Sequence, residues 1–539
     1  MNIFDYHDAT KHHYHRSAKS LGYMDWANQP EPFRYFQGRP PIHLPLLEKD
    51  PEADYFDLYL RENNTHKPFL LENIAGFLEL SLGLSAWKSV PGSRWSLRIN
   101  PSSGNLHPTE AHLILPSINS IDSGVYHYNP FLHALEPRAV FSGNLWEKIE
   151  GHFQAEGFMI ALSSIFWRES WKYGERAFRY CNHDAGHALA GLSFSGNLFG
   201  WKVICLTALS DDNIETLLGF DKTHWHHMEK EHPEFACYVF ASSKNLEQQN
   251  VSEDILKDFS ELEFFGIPNR LSQDHYHWKN IESANMASKK PLTPPVQISF
   301  DDKPLLQNAH SKLPAAKIIR QRRSALGFDS EGSVGFDQFL AMLDKTFPRN
   351  NVAPFDTQLS FPRVHLLLFV HNVQGLNQGL YFFFRNTVDK DTLQSATRLD
   401  FLWKPVEQDF PLYLLEEGNF RRKAARVSCY QEIAGESAFS MGMIAKFRDP
   451  VEKNPYLYRH LFWETGMIGQ VLYLEAEAHG FRGTGIGCFF DDAVHDILGF
   501  SDNQFQSLYH FTIGKYFEDR RLNTLPPYYH IEHNRAGGD

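Results

Sequence analysis

The feature that most constrains this chain is that part of it occurs twice. Arg179, Asp184, Gly186, Leu192, Gly200, Asp211, Asp212, Leu218, Gly219 and Phe220 recur as Arg459, Glu464, Gly466, Leu472, Gly480, Asp491, Asp492, Leu498, Gly499 and Phe500, each 280 positions later. A gap-free match over more than forty residues points to a tandem duplication, so the 539 residues are expected to fold as two related units. The length agrees, since a single core stops growing at roughly 250–300 residues. Composition places the boundaries. A His-, Pro- and aromatic-rich irregular arm spans 1–60, a first unit 61–242, a polar linker 243–310 and a second unit 311–539.

The balance of 52 basic and 65 acidic residues gives a net charge of −13. That argues against nucleic acid or an anionic membrane as the main partner, and an anionic cofactor would need a locally basic pocket. The five cysteines are scattered and form no C-x-x-C pair, which suits reduced thiols. The start lacks the charged and apolar regions of a signal peptide and no apolar run is long enough to span a bilayer, so a cytoplasmic protein is expected. His12, His13 and His15 have no Cys or carboxylate at ligand spacing and read as surface residues, leaving no metal site in view.

Residues 69–86 carry an apolar pattern of mostly helical period that Gly83 closes. A polar loop follows, Arg98-Ile-Asn-Pro101-Ser102-Ser103-Gly104-Asn105-Leu-His-Pro-Thr-Glu110, running into an apolar strand at 111–115. Pro101 stiffens it, Gly104 lets main chain approach closely, and Ser102, Ser103 and Asn105 supply donors and acceptors at short reach, as a loop lying on a flat polar ligand requires. Turns draw on the same residue types, so an ordinary turn is the competing reading. Residues 124–136 read as a hairpin. Trp171-Lys172-Tyr173-Gly174 opens a helix that runs to Gly200.

The order Arg-x-x-Pro-Ser-Ser-Gly-Asn-x-x-Pro-x-Glu resembles the flavin-contacting loop of the nitroreductase superfamily, and more narrowly its SagB-type dehydrogenase branch. Tyr6-His7, Asp25-Trp26-x-Asn28-x-Pro30, Gly124-x-Tyr126-x-Tyr128-x-Pro130, Pro268-Asn269-Arg270-Leu271-Ser272 and Trp278 are similar to other segments of that branch. The resemblance implies an α+β fold of two fused FMN-dependent nitroreductase-like sandwiches that form a pseudo-dimer within one chain, with further oligomerisation open.

The same resemblance distributes the FMN contacts between the halves. Arg98, Pro101, Ser102, Ser103, Gly104 and Asn105 come from the first half, whereas Arg322, Arg323 and Ser324 resemble the family's phosphate-gripping Arg-Arg-Ser element, with Leu326 where a further Arg stands in the family. Ile486, Gly487 and Cys488 align with the turn that points a backbone N–H at flavin N5, and Lys515 of Ile513-Gly514-Lys515 completes the set. No arginine element appears between 45 and 75, and the counterpart of the Ser-Ser-Gly-Asn loop, Leu359 to Val364, lacks Gly and Asn. One FMN per chain follows, with the second, pseudo-symmetric place decayed. Lys172 and Tyr173 fall where azoline-oxidising members carry their catalytic pair, so a thiazoline or oxazoline in a modified peptide or small molecule is the implied substrate. A neighbouring cation or desolvation would have to lower the pKa of whichever acts as base. The alternatives are an NAD(P)H-dependent nitro or quinone reductase, and a non-catalytic flavin- or peptide-binding pseudoenzyme.

Overall fold

The computed structural model describes residues 1–60, 65–119, 121–226, 228–243, 246, 248–300, 303–307 and 309–531; the unit boundaries expected at 61 and 539 lie outside them. Two seven-stranded antiparallel sheets dominate. The first runs Ile42–His43, Ala134–Val140, Gly124–Asn129, Thr109–Leu115, Gly157–Ser164, His232–Ala241, Trp201–Cys205. The second runs Lys404–Glu407, Phe410–Glu417, Gly379–Phe383, Val364–Val370, Phe439–Lys446, Phe505–Gly514, Arg482–Ile486. Apart from the edge strands Ile42–His43 and Lys404–Glu407, the order is the same in both. No described helix is long and apolar enough to cross a membrane.

The offset of 280 holds at both ends of two helix pairs: Ala177–Leu198 with Leu457–Ala478, and Asp211–Leu218 with Asp491–Leu498. The long pair forms the centre. Every residue of Ala177–Leu198 is buried, and every residue of its partner except Leu457. A helix buried all round shows no amphipathic stripe, which is why periodicity marks it weakly. The two backbones touch at related glycines. A Cβ on Gly186 would stand 2.1 Å from Trp463 O, and one on Gly466 would stand 2.1 Å from His183 O. Related ion pairs flank the contact, Arg179 Nη1 to Asp491 Oδ1 at 2.7 Å and Arg459 Nη1 to Asp211 Oδ2 at 2.6 Å.

The N-terminal arm is more ordered than its composition suggests. It opens with the helix Ile3–Ala9, capped reciprocally by Asn2 and Asp5. Helix Lys279–Ala287 mirrors it, and the residues that follow each helix dock alike. His12 N donates to Asp491 Oδ2 (2.9 Å) and Asp491 N to His12 O (3.2 Å), while Lys290 N donates to Asp211 Oδ2 and Asp211 N to Lys290 O, both 3.0 Å. Lys11 pairs with Asp492 as Lys289 does with Asp212.

Two local expectations shift. The helix expected over 69–86 is Leu71–Glu79, because Leu82 and Gly83 N–H both turn back to Leu78 O and the chain leaves as the strand Leu84–Val90. The helix expected to open at Trp171 is two, Phe166–Tyr173 and Ala177–Leu198, since Gly174 at φ 56° tucks against Lys19 and Ser20 of the arm. Strand Asn523–Leu525 from the second half joins the hairpin Leu84–Val90 and Ser93–Arg98 of the first, tying the halves once more.

Gly466→Ala should be costly although Ala is the better helix former by about 1 kcal/mol, because the new methyl meets a carbonyl of the opposing helix that cannot step aside. The expected result is a thermal midpoint lowered by several degrees. An unchanged midpoint would mean that the helices are free to separate.

Candidate functional site

A cavity of about 500 Å³ opens between the halves. Arg98, Asn100 to Asn105, Tyr173, Tyr180, Asp184 and His187 line it from the first half, and Arg322 to Ser324, Tyr473, Arg482, Gly485 to Cys488 and Tyr509 from the second. Residues singled out from opposite ends of the sequence therefore meet on one surface. Lys515 is not brought there. Its Nζ lies 3.3 Å from Asp329 Oδ2 and its side chain is 62% exposed.

The 98–110 loop is held from behind by the central helix. Ser103 N donates to both oxygens of Asp184 (3.1 and 3.2 Å), Ser103 Oγ to Asp184 Oδ1 (3.1 Å), and Asn105 Nδ2 to Ser96 O (2.9 Å). Gly104 (φ 61°) is required twice over, since left-handed backbone disfavours a Cβ and a Cβ there would lie 2.6 Å from Tyr173 Oη and 3.1 Å from Lys172 Nζ. Lys172 and Tyr173 thus lie against the loop, with Tyr173 edge-on to Tyr180 at 4.7 Å. The Arg98 guanidinium donates to Thr109 O and Pro32 O, so this residue also supports the loop.

Arg322 follows the helix Ala315–Gln321, and the next residues dock on the edge strand Arg482–Ile486, with Ala325 N donating to Gly483 O (3.0 Å). Arg322 Nη2 donates to Arg98 O and Ile99 O, Arg323 to Ser85 and to two carbonyls of its own turn, and Ser324 Oγ pairs with Tyr473 Oη at 2.9 Å. Neither guanidinium has an ion-pair partner among the described residues, and buried Arg322 Nε has no hydrogen-bond partner. Burial pushes the pKa of both below the usual arginine value, Arg323 to about 10. Two adjacent cations, Arg322 buried and Arg323 half-buried, with the neighbouring carboxylates Glu477 and Glu518 paired to Arg482, offer an anion site, and their forked N–H donors fit a phosphomonoester.

The turn after Arg482–Ile486 is gripped by its carbonyls. Arg176 donates to Gly487 O from Nη2 (3.1 Å) and Nε (3.3 Å), and Gln431 Nε2 donates to Cys488 O (3.1 Å). Arg176 is itself fixed by Asp491 and Thr10 O. The N–H groups of Gly487 and Cys488 have no protein acceptor among the described residues. Gly487 also has no room for a side chain, since a Cβ would be 2.4 Å from Tyr180.

The acid–base groups differ from the sequence expectation. Burial raises the Tyr173 pKa well above its ordinary value, and Glu169, Tyr180 and Asp184 reinforce the shift, so its hydroxyl is a proton donor in the ligand-free protein. Desolvation lowers a lysine pKa but raises a tyrosine pKa, which corrects the expectation that it could prepare Tyr173 as a base. Sequence reasoning marked Asp184 only as a repeated position and missed it as a titratable group. Burial lifts it to about 7 against the hydrogen bonds from Ser102 and Ser103 that pull it down. Glu169 is raised likewise by burial and by Asp184. His187, lowered to about 3 by burial and Arg322, is neutral.

At the pseudo-symmetric position the chain itself bonds to the corresponding turn. Thr207, Ala208 and Leu209 stand where Gly487, Cys488 and Phe489 stand in the second half. Lys290 Nζ donates to Leu209 O, Thr293 N to Ala208 O and Thr293 Oγ1 to Thr207 O, while Ala208 N donates to Gln249 O. Farther along, Ile298 exchanges two hydrogen bonds with Gln358, beside the loop that corresponds to 98–110.

Residues 319–515 match the family model described as the Nitroreductase family. A protein of Methanocaldococcus jannaschii, provisionally named a nitroreductase, is 25% identical over 151 residues, 26% of this chain and 72% of that protein. The whole fold superimposes on a crystal structure of a provisionally named nitroreductase from Anabaena variabilis, with a TM-score of 0.69, 21% identity, and coverage of 96% of this chain and 100% of that one. The second half thus carries a Nitroreductase family domain, and both sheets follow the nitroreductase-type α+β fold.

Asp184 should titrate near pH 7, which difference infrared spectra of the parent against Asp184→Asn can read. A raised carboxyl pKa favours the neutral form in the fold, so stability falls as pH rises from about 4 to about 7. The Asn variant should lack that slope, and a midpoint near 4 would refute the assignment.

Proposed function

We propose that the chain is an FMN-dependent oxidoreductase with one flavin site clamped between two duplicated halves. The observation that carries this reading is the convergence, on one cavity, of an arginine pair with no ion-pair partner of its own among the described residues, a turn whose two N–H groups have no acceptor among them, and a polar loop that approaches through Gly104. These groups fit the cofactor: Arg322, Arg323 and Ser324 would hold its phosphate, Pro101 to Asn105 would lie on its ring, and Ile486 to Cys488 would face the ring edge. Bound there, FMN supplies a two-electron acceptor at N5. Lys515, exposed and paired with Asp329, is left out of this set.

For substrate we favour an azoline-like heterocycle in a peptide or small molecule, oxidised as in SagB-type dehydrogenases. Tyr173 Oη holds a proton and orients a substrate heteroatom, while the Lys172 amine beside Gly104, or the Asp184 carboxylate that lines the cavity, accepts the proton lost from carbon. The protonated state of Tyr173 supports a second reading, because a proton donor suits reduction of a nitro compound or quinone by NAD(P)H.

The isolated protein should carry close to one FMN per chain, because 290–298 covers the other place. Arg322→Ala with Arg323→Ala should bind FMN at least about a hundredfold more weakly, two charge-assisted contacts of about 1.5–3 kcal/mol each being lost. Two FMN per chain, or full occupancy in the folded double variant, would remove this site assignment.

Tyr173→Phe and Lys172→Ala should each slow azoline oxidation by about 10²- to 10⁴-fold at normal FMN content, measured as single-turnover flavin reduction. If both variants keep the parental rate, or if only NAD(P)H reduces the flavin, the reductase reading replaces the dehydrogenase one.

A further inference from the structure

Cys429 and Cys488 come from different elements and meet with sulfurs 2.7 Å apart. A disulfide is about 2.05 Å long, so bridging them takes a shift of well under one ångström. Cys488 lines the cavity, and Cys429 sits in the turn after the helix Arg421–Val427, held at φ 56° beside Tyr430 at φ 58°. Gln431 clamps the two segments together, its Nε2 donating to Ser428 O (2.9 Å) and Cys488 O (3.1 Å). Both thiols are partly exposed, whereas Cys181, Cys205 and Cys237 are buried. Cys205 and Cys237 are also neighbours, at 3.6 Å across adjacent strands, but solvent does not reach them. Nothing in the flavin reading uses the Cys488 side chain, only its main chain.

We propose that Cys429 and Cys488 form a thiol–disulfide exchange site that takes small-molecule disulfides and closes an internal bond at the cavity floor. The roles within the pair are unequal. Cys488 lines the cavity where a small disulfide would arrive and Cys429 does not, and the contact with Cys429, with help from His12 and Arg176 and against burial, lowers Cys488 to about 5, while Cys429 is raised. Cys488 is therefore the attacking thiolate and Cys429 the resolving thiol. The Cys488 sulfur attacks a disulfide RSSR, forming a mixed disulfide and expelling RS⁻. Cys429 then gives its proton to RS⁻ and attacks the Cys488 sulfur. The Cys429–Cys488 bond forms and a second RS⁻ leaves, to be protonated by water. Two thiols are oxidised and one disulfide is reduced to two thiols.

The closed bond would tie the 485–488 turn to the 428–431 turn, so the redox state of the surrounding thiol pool would act directly on the loop lining the cavity. The inference does not depend on FMN, and its test reads thiols, with or without flavin present.

The protein as isolated is treated with oxidised glutathione and followed by intact mass and peptide mapping. The parent should lose two hydrogens and show a Cys429–Cys488 peptide. Cys429→Ser should stop with one glutathione on Cys488, and Cys488→Ser should react at least about tenfold more slowly. A parent that keeps both thiols free, an adduct resting on Cys429, or a bridge mapped to Cys205 and Cys237 would overturn the proposal. The parent readout stands even if a variant misfolds.

Discussion

The contact on which the structure depends is the backbone-to-backbone crossing of Ala177–Leu198 and Leu457–Ala478 at Gly186 and Gly466. Each glycine faces a carbonyl of the other helix, so neither half can complete its core alone. The approach puts Arg179 within reach of Asp491 and Arg459 within reach of Asp211, at the N-termini of Asp491–Leu498 and Asp211–Leu218, where helix dipoles favour carboxylates. Arg179 and Arg459 are buried, and a buried charge is tolerated only when paired. The crossing therefore fixes the rotation of one half against the other, and with it the separation of the 98–110 loop from the 485–488 turn.

The ion-pair lattice reaches the cavity in one further step. Asp491 holds both Arg179 and Arg176, and Arg176 holds the carbonyl of Gly487. On the other wall, one turn beyond Arg179, Asp184 holds Ser103. Its repeat partner Glu464 does the same for Arg363 N and Val364 N, so anchoring a loop is the inherited duty of this position. What differs is the environment. Asp184 has no guanidinium partner among the described residues, whereas Arg385 pairs with Glu464. The first half kept an uncompensated carboxyl beside a cavity, and the second neutralised its own.

Much of this was legible from residues. The offset of 280 relates 177–198 to 457–478 and 211–218 to 491–498 residue for residue, although the sequence reading opens the first helix too early, at Trp171, and names none at 211–218, and the motifs at 98–105, 322–324 and 486–488 line one cavity. The limits were physical as well. The mirror relation of 2–12 and 280–290 rests on Asn2 with Asn280, Ile3 with Ile281, Ala9 with Ala287 and Lys11 with Lys289, at an offset of 278 that differs from the 280 of the main repeat, and it becomes plain only with Asp492 and Asp212 seen opposite the lysines. Lys515 stands among the expected FMN contacts because sequence cannot tell which way the residue that follows the strand Phe505–Gly514 projects. Tyr173 and Asp184 needed burial, which no local pattern reports, before their proton affinities could be argued.

The difference between the two related turns, 207–209 and 487–489, follows from connectivity. Two free chains related by a twofold axis would have two equal clefts. In one polypeptide the segment leaving 290 must still travel from the first half to the second. It runs along Thr207 to Leu209 and past Gln358, the two walls of the pseudo-symmetric cleft, and its donors satisfy the carbonyls exposed there. The corresponding stretch after His12 has no such journey to make. His13 and Arg16 bond to each other in a turn, and the chain moves off so that Trp26 packs on Trp171. That leaves the N–H groups of Gly487 and Cys488 uncovered, in the one cleft that also has the arginine pair. On this geometry the segment that joins the halves is also the one that covers the 207–209 turn.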